Sequence, residues 1–320
     1  MIRWISLVFL ALGACSRAAP PLAVAADASP PAPSSSLAAP SALPSAPGEV
    51  PLPPYDLPAD LQARSAAAGA EFPAPLTTSV ERGVFLFVDA DHGGRFEPTL
   101  ALARRALAAY FAGPFAKGPD RAVSVYVFST REAYLASCKT HRLATCSRDL
   151  GSYQGMTREI FVDVAPGVES IAHELVHPIV QTDGPALPLA MDEGLGALFE
   201  APTFAADGSI HGRTNWRLKR AQAALSSAKE SDQVRVENVL ALDDSVFRGK
   251  DVALPYALSR FLCQWLDERG VLWPFYARWK ASVAQDPEGS AAFLAVVGQR
   301  PEDATPAWRS WLKGLRLPAR

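Results

Sequence analysis

Histidine, cysteine and net charge are all scarce in this chain. Its 320 residues carry 31 basic and 33 acidic side chains, for a formal net charge of −2. That balance gives no basic surface for a polyanion, so nucleic acid and an electrostatic hold on anionic lipid are not expected partners. No internal repeat is visible. Only four cysteines and five histidines occur, so two histidines that fall at ligand spacing stand out. What the chain does have is apolar bulk: 49% of residues are hydrophobic, enough for a sizeable core in one or two domains.

The N-terminus reads differently from the rest. Arg3 is followed by the apolar run "WISLVFLALGAC", too short for a comfortable transmembrane helix and typical of a secretory leader over residues 1–14. The end of that run, Leu12-Gly13-Ala14-Cys15, resembles the lipobox of bacterial lipoproteins. The resemblance implies cleavage before Cys15 and a lipid anchor there, with more than one acyl chain needed for stable membrane attachment. By the same resemblance, Ser16 after the cysteine implies export to the outer membrane rather than retention at the inner one. The expected location is the bacterial cell envelope, at the outer membrane or facing the periplasm. Residues 15–75 are rich in proline, alanine and serine and predict an unfolded tether. In an exported protein Cys138 and Cys146, flanking "KTHRLAT", suit a local disulfide or two free thiols, and Cys263 in "ALSRFLCQWL" reads as a small core residue.

The folded domain is expected over residues 76–320. "GVFLFVDA" (83–90) and "AVSVYVFS" (122–129) predict strands, separated by a helix in "EPTLALARRALAAYFAG" that ends at Gly113-Pro114. Asp89, Asp91 and His92 fall in the turn after the first strand, where a turn explains them without a site. Thr130 can cap a following helix. "GSYQG" and "REIFVDVA" (158–165) predict two further strands. From Gly167 the pattern becomes helical, with candidates at 168–181, 188–201, 214–228, 253–269, 272–285 and 304–316. The fold class is therefore α+β: a small N-terminal mixed sheet with helices, then a mostly helical half.

"SIAHELVHPIV" predicts a helix on which His173 and His177, four residues apart, lie on one face and converge on one cation, with Glu174 beside them. Ile171, Leu175 and Ile179 repeat at the same interval and would anchor the helix. Catalytic zinc commonly takes three protein ligands and leaves a position open. Glu193 in "PLAMDEGLGALFE" is the first candidate for the third, because the turn-rich linker "TDGPALP" lets a second helix fold back on the first. Asp183 is the rival, but a sharp turn between His177 and Asp183 would want glycine where Val180 stands. Pro178 removes one helical hydrogen bond and predicts a bend just after the second histidine. Asp192 is a candidate partner for a ligand histidine, or simply an acidic residue in a first helical turn.

"HELVH" followed by "MDEGLGALFE" resembles the gluzincin zinc metallopeptidases, especially their bacterial peptidase-MA-like group. The resemblance takes in "REIFVDVAPGVESIAHELVH", whose strand would be the edge strand bordering a substrate cleft, and more loosely "LPYALSRFLCQWLDERG" (254–270), which resembles a tyrosine-bearing helix of that group. It implies a zincin-like fold, Zn2+ held by His173, His177 and Glu193, Glu174 as general base, and a peptide or protein substrate. The expected chemistry is amide hydrolysis, with Tyr256 the first candidate donor to the developing oxyanion and His211 the second. The competing expectation is a surface lipoprotein of the same fold with a binding or structural role.

Overall fold

A computed structural model describes residues 54–143 and 149–318. The predicted leader, Cys15, the tether up to residue 53 and Cys146 lie outside the described residues.

The sheet half runs α1 (Leu57–Glu71), β1 (Thr78–Glu81), β2 (Phe85–Asp89), α2 (Phe96–Ala112), β3 (Val123–Phe128), α3 (Arg131–Thr140), β4 (Gly151–Gln154) and β5 (Glu159–Asp163). The helical half runs α4 (Ser170–Asp183), α5 (Leu189–Leu198), a hairpin of β6 (Pro202–Phe204) and β7 (Ile210–Gly212), then α6 (Leu218–Ser226), α7 (Val236–Leu240), α8 (Ala253–Asp267), α9 (Leu272–Ser282), α10 (Ser290–Val297) and α11 (Pro301–Gly314). The class is α+β, as expected.

Five strands form one sheet in the order β1-β2-β3-β5-β4. The three inner strands are parallel and both edge strands antiparallel. Every residue of β2 and β3 is buried, as parallel strands covered on both faces require. Side-chain alternation divides them between two cores. Phe85, Phe87, Val123, Val125 and Val127 pack with α2, α4 and the helical half. Leu86, Val88, Tyr126 and Phe128 pack with Ala68 of α1 and with Tyr134 and Cys138 of α3.

Two expectations need correction. First, folding starts before residue 76: the segment predicted as tether contains α1, and the compact unit begins at Pro54. Asp56 accepts a hydrogen bond from the Ala59 N–H, Pro58 sits in the first turn, and the alanines that follow are strong helix formers. Second, "REIFVDVA" is not the edge strand. Its residues 160–163 are buried, so β5 lies between β3 and β4, and the half-buried, polar "GSYQ" of β4 takes the edge. Pro178 lies inside α4, which continues past it to Asp183. Thr130 caps α3 through its side chain, as predicted. Cys138 is disulfide-bonded, although its expected partner Cys146 is outside the described residues. Cys263 is a buried free thiol in the core.

Candidate metal centre

Helix α4 is set by its apolar residues. Ile171, Leu175 and Ile179 are fully buried between the sheet and the helical half. The Tyr110 hydroxyl of α2 donates to the Ala172 carbonyl at 2.8 Å, and the Ser170 hydroxyl donates to the Asp163 carbonyl at 3.1 Å. The first turn of α4 is thereby tied to both α2 and β5. His173 and His177 then project from the same side, one turn apart, with ring centroids 5.1 Å apart.

The third group comes from α5, which packs against α4. Glu193 Oε2 lies 3.5 Å from His173 Nε2 and 3.9 Å from His177 Nε2. One ligand atom from each of the three residues lies within 4.8 Å of the others. Two ligands each about 2.1 Å from an ion at a tetrahedral angle stand roughly 3.4 Å apart. The observed spacing fits that figure and is too long for good hydrogen bonds. Glu193 Oε2 is also buried with no hydrogen-bond partner, an expensive state for a carboxylate oxygen unless a cation takes it. Two imidazole nitrogens and one carboxylate oxygen, buried and convergent, form a group that could hold a metal ion.

Each histidine is backed by a carboxylate on its other nitrogen. His177 Nδ1 is 3.0 Å from Asp192 Oδ1, and His173 Nδ1 is 3.4 Å from Glu200 Oε1. Gly196 makes room for the His173 ring, since a Cβ there would lie 2.9 Å from Nε2. Burial pulls the His177 imidazolium down, but the charge and hydrogen bond of Asp192 outweigh it and raise the group to about 9. Burial likewise opposes charge on His173, and the contacts with Glu193 and Glu200 overcome it, leaving its pKa well above the ordinary value. Glu193 feels the same balance in reverse: burial raises it, and the two histidines bring it below its usual range. The pocket is thus built to hold positive charge, and protons compete there with a metal.

Glu174 stands apart from these three residues. It is 5% exposed, and burial raises its carboxyl to about 7 against the pull of His173 and His177. Its side chain rests on the backbone of Gly151 in β4, where a Cβ would come within 2.3 Å of Oε1. Tyr256, near the start of α8, places its hydroxyl against the Glu193 carboxylate. Burial and then the Glu193 charge raise this phenol far above its ordinary pKa, so it remains a proton donor.

These groups open onto a cavity of about 1130 Å³, lined among others by Gly151, Tyr153, Trp216, Phe247 and Tyr256. The Asp163 N–H bonds to the Leu150 carbonyl at 2.7 Å. With the β4–β5 register, that bond sets the alternation, so the main-chain groups of Gly151 and Tyr153 point away from β5 along the free edge.

The other sequence candidates lie elsewhere. Asp183 does not face the histidines. It accepts hydrogen bonds from the Lys117 N–H, the Tyr276 hydroxyl and the Lys280 ammonium, locking the end of α4 to α9. His211 is on β7, held by Asp267 at 3.1 Å and Ser209 at 2.9 Å, and does not line the cavity. Asp91 accepts from the Ser129 and Thr130 N–H groups, and Asp89 accepts from the His92 N–H, which makes that cluster a turn, as read.

Sequence reasoning missed Glu200 and Arg217. Glu200 is seven residues beyond Glu193, so helical spacing over the predicted 188–201 helix could have placed both on one side, although α5 itself ends at Leu198. Arg217 enters from the loop before α6, and no local signal marks it. No protein-family profile matches this chain, and no curated protein is found similar to it.

Proposed function

We propose that this chain is a zinc-dependent metallopeptidase with a zincin-like fold, held on the cell envelope by a lipid at Cys15. The observation that carries the reading is the unpartnered, buried Glu193 Oε2, 3.5 and 3.9 Å from the two Nε2 atoms, with a separate buried carboxyl at Glu174 titrating near 7. Two histidines and a glutamate with one position left open are the usual protein share of a hydrolytic zinc site. The likeness of "HELVH" and "MDEGLGALFE" to the gluzincins supports the same assignment.

A zinc ion held by His173, His177 and Glu193 would supply Lewis acidity there, acidifying water beside it and polarising a scissile carbonyl. The chain's own residues carry the proton and the substrate. Glu174 takes a proton from the attacking water and later passes it to the leaving amine, a role suited to a carboxyl near neutrality. Tyr256 retains its proton and donates a hydrogen bond to the developing oxyanion. An extended peptide aligns along β4 through the outward main-chain groups of Gly151 and Tyr153. The cavity volume suits a peptide segment of several residues rather than a single amino acid.

Glu174→Gln separates this reading from a binding role. The substitution keeps the shape and removes the base, so the variant should bind zinc as the wild type does and lose cleavage of a peptide library. Wild-type protein that binds zinc but cleaves nothing in the library, with the variant indistinguishable from it, would contradict the peptidase reading.

A further inference from the structure

Glu200 occupies a place that the hydrolytic scheme does not use. It follows the last turn of α5 and its carboxylate is largely buried, with 15% of the side chain exposed. Oε1 lies 3.4 Å from His173 Nδ1, on the side of the ring opposite the metal group. Both carboxylate oxygens are held. Arg217 Nε donates to Oε2 at 2.8 Å and Nη2 to Oε1 at 2.6 Å, while the Asn215 amide donates to Oε2 at 3.0 Å. This two-pronged guanidinium grip fixes the plane of the carboxylate as well as its position. Arg217 is itself confined, since its guanidinium lies 4.4 Å from the Trp216 ring centroid and 4.9 Å from that of Tyr256. Gly196 leaves the space that the His173 ring occupies, since a Cβ there would lie 2.9 Å from Nε2 and 3.0 Å from Cδ2 and Cε1.

A histidine that binds a metal through one nitrogen carries its proton on the other, and a fixed acceptor at that nitrogen selects the tautomer and the ring orientation. Asp192 provides such an acceptor for His177 at 3.0 Å. We propose that Glu200, clamped by Arg217, is the matching positioning residue for His173: it accepts the Nδ1–H hydrogen and so leaves the Nε2 lone pair facing the cation. Neither residue touches the metal position. Arg217 acts at one remove, by denying the Glu200 carboxylate any other orientation, and its fork also joins the loop before α6 to the metal centre. The inference rests on the metal reading given above.

The test is zinc affinity, measured by competition with a chromophoric chelator on the wild type, Glu200→Gln and Arg217→Lys. Loss of a carboxylate behind a ligand histidine typically weakens metal binding by about 10- to 100-fold. Glu200→Gln should fall in that range. Arg217→Lys keeps the charge and loses the fork, and should fall between Glu200→Gln and the wild type. A purely structural ion pair would lower the melting temperature of the metal-free variants and leave their zinc affinity within about twofold of the wild type; that result overturns the proposal. If Glu200→Gln does not fold, Arg217→Lys decides by the same criterion. The nitrogen-15 spectrum of the zinc-loaded wild type is a second readout, expected to show His173 protonated at Nδ1. A His173 protonated at Nε2 would overturn the proposal without touching the zinc stoichiometry. Wild-type protein that binds no zinc at all would instead overturn the metal reading, and this inference with it.

Discussion

Glu174 and Glu193, on neighbouring helices, have different environments, and this difference separates the roles proposed for them. Glu193 lies between imidazoles that favour its charge, while Glu174 is governed by burial, which disfavours charge and holds it near 7. The first is suited to bind a cation and the second to exchange a proton at neutral pH. Tyr256 follows the same logic as a donor that does not ionise. Tyr256→Phe removes only the hydroxyl and leaves three ligands in place. It should lower kcat by about 100-fold with zinc content unchanged, the usual consequence of losing one oxyanion donor. Steady-state kinetics with metal analysis checks this, and an unchanged kcat would return Tyr256 to a packing role against Phe247. The residues proposed to carry this chemistry were mostly legible in the sequence. His173, Glu174 and His177 announce themselves by spacing on one apolar-faced helix, and Glu193 by the helix that folds back. Arg217 was not legible, because its partner Glu200 is reached through the fold across the β6–β7 hairpin, and nothing local records that.

At the scale of elements, the sheet is finished from outside by a helix that composition disguised. Prolines dominate the chain ahead of α1, but the helix itself has a capping aspartate, a proline in its first turn and a run of alanines. Its Leu61, Ala68 and Phe72 pack on the face formed by β2, β3 and β5, and Phe72 meets the rings of Tyr126 and Phe128. Arg64 donates to the Thr157 carbonyl at 2.9 Å and Arg158 to Asp60 at 3.0 Å, fastening α1 to the β4–β5 turn. A chain starting at residue 76 should therefore be less stable than one starting at residue 54 by about 3 kcal/mol or more, since burying one large apolar side chain contributes about 1.5–3 kcal/mol. Urea unfolding of the two chains tests this, and equal midpoints would restore the tether reading of residues 57–71. The strands themselves were readable from β-branched and aromatic runs, but their order was not. Local pattern marks "REIFVDVA" as a strand. That it sits inside β4 and not at the edge depends on which neighbours arrive to cover it.

At the scale of the whole molecule, the candidate metal centre joins the sheet half to the helical half. α4 packs against β4 and β5, α5 packs against α4 and α8, and the Glu200–Arg217 grip ties the end of α5 to the loop ahead of α6. Stability should then respond to acid through Glu200. Burial raises this carboxyl, but Arg217 outweighs it and lowers the group from 4.5 to about 2. A lowered folded pKa means stability that is fully present above the unfolded value near 4.5 and lost as pH falls toward 2. The shift corresponds to about 3 kcal/mol. In metal-free protein, Glu200→Gln should be less stable than the wild type at pH 6 and should lose that part of the acid dependence, so that the two converge near pH 2. Urea midpoints across that range measure the effect, and parallel curves at every pH would contradict it. The acid effect reads chiefly the Arg217 ion pair, with a smaller part from His173. Zinc affinity remains the measurement that separates positioning from packing at Glu200.

Metal content of the purified wild type beside Glu193→Ala decides whether His173, His177 and Glu193 hold a zinc ion, as proposed. One zinc per wild-type chain is expected, with most of it lost in the variant. A wild type that carries no stoichiometric zinc after incubation with the ion, or a Glu193→Ala variant that holds it as tightly, would rule out this ligand set.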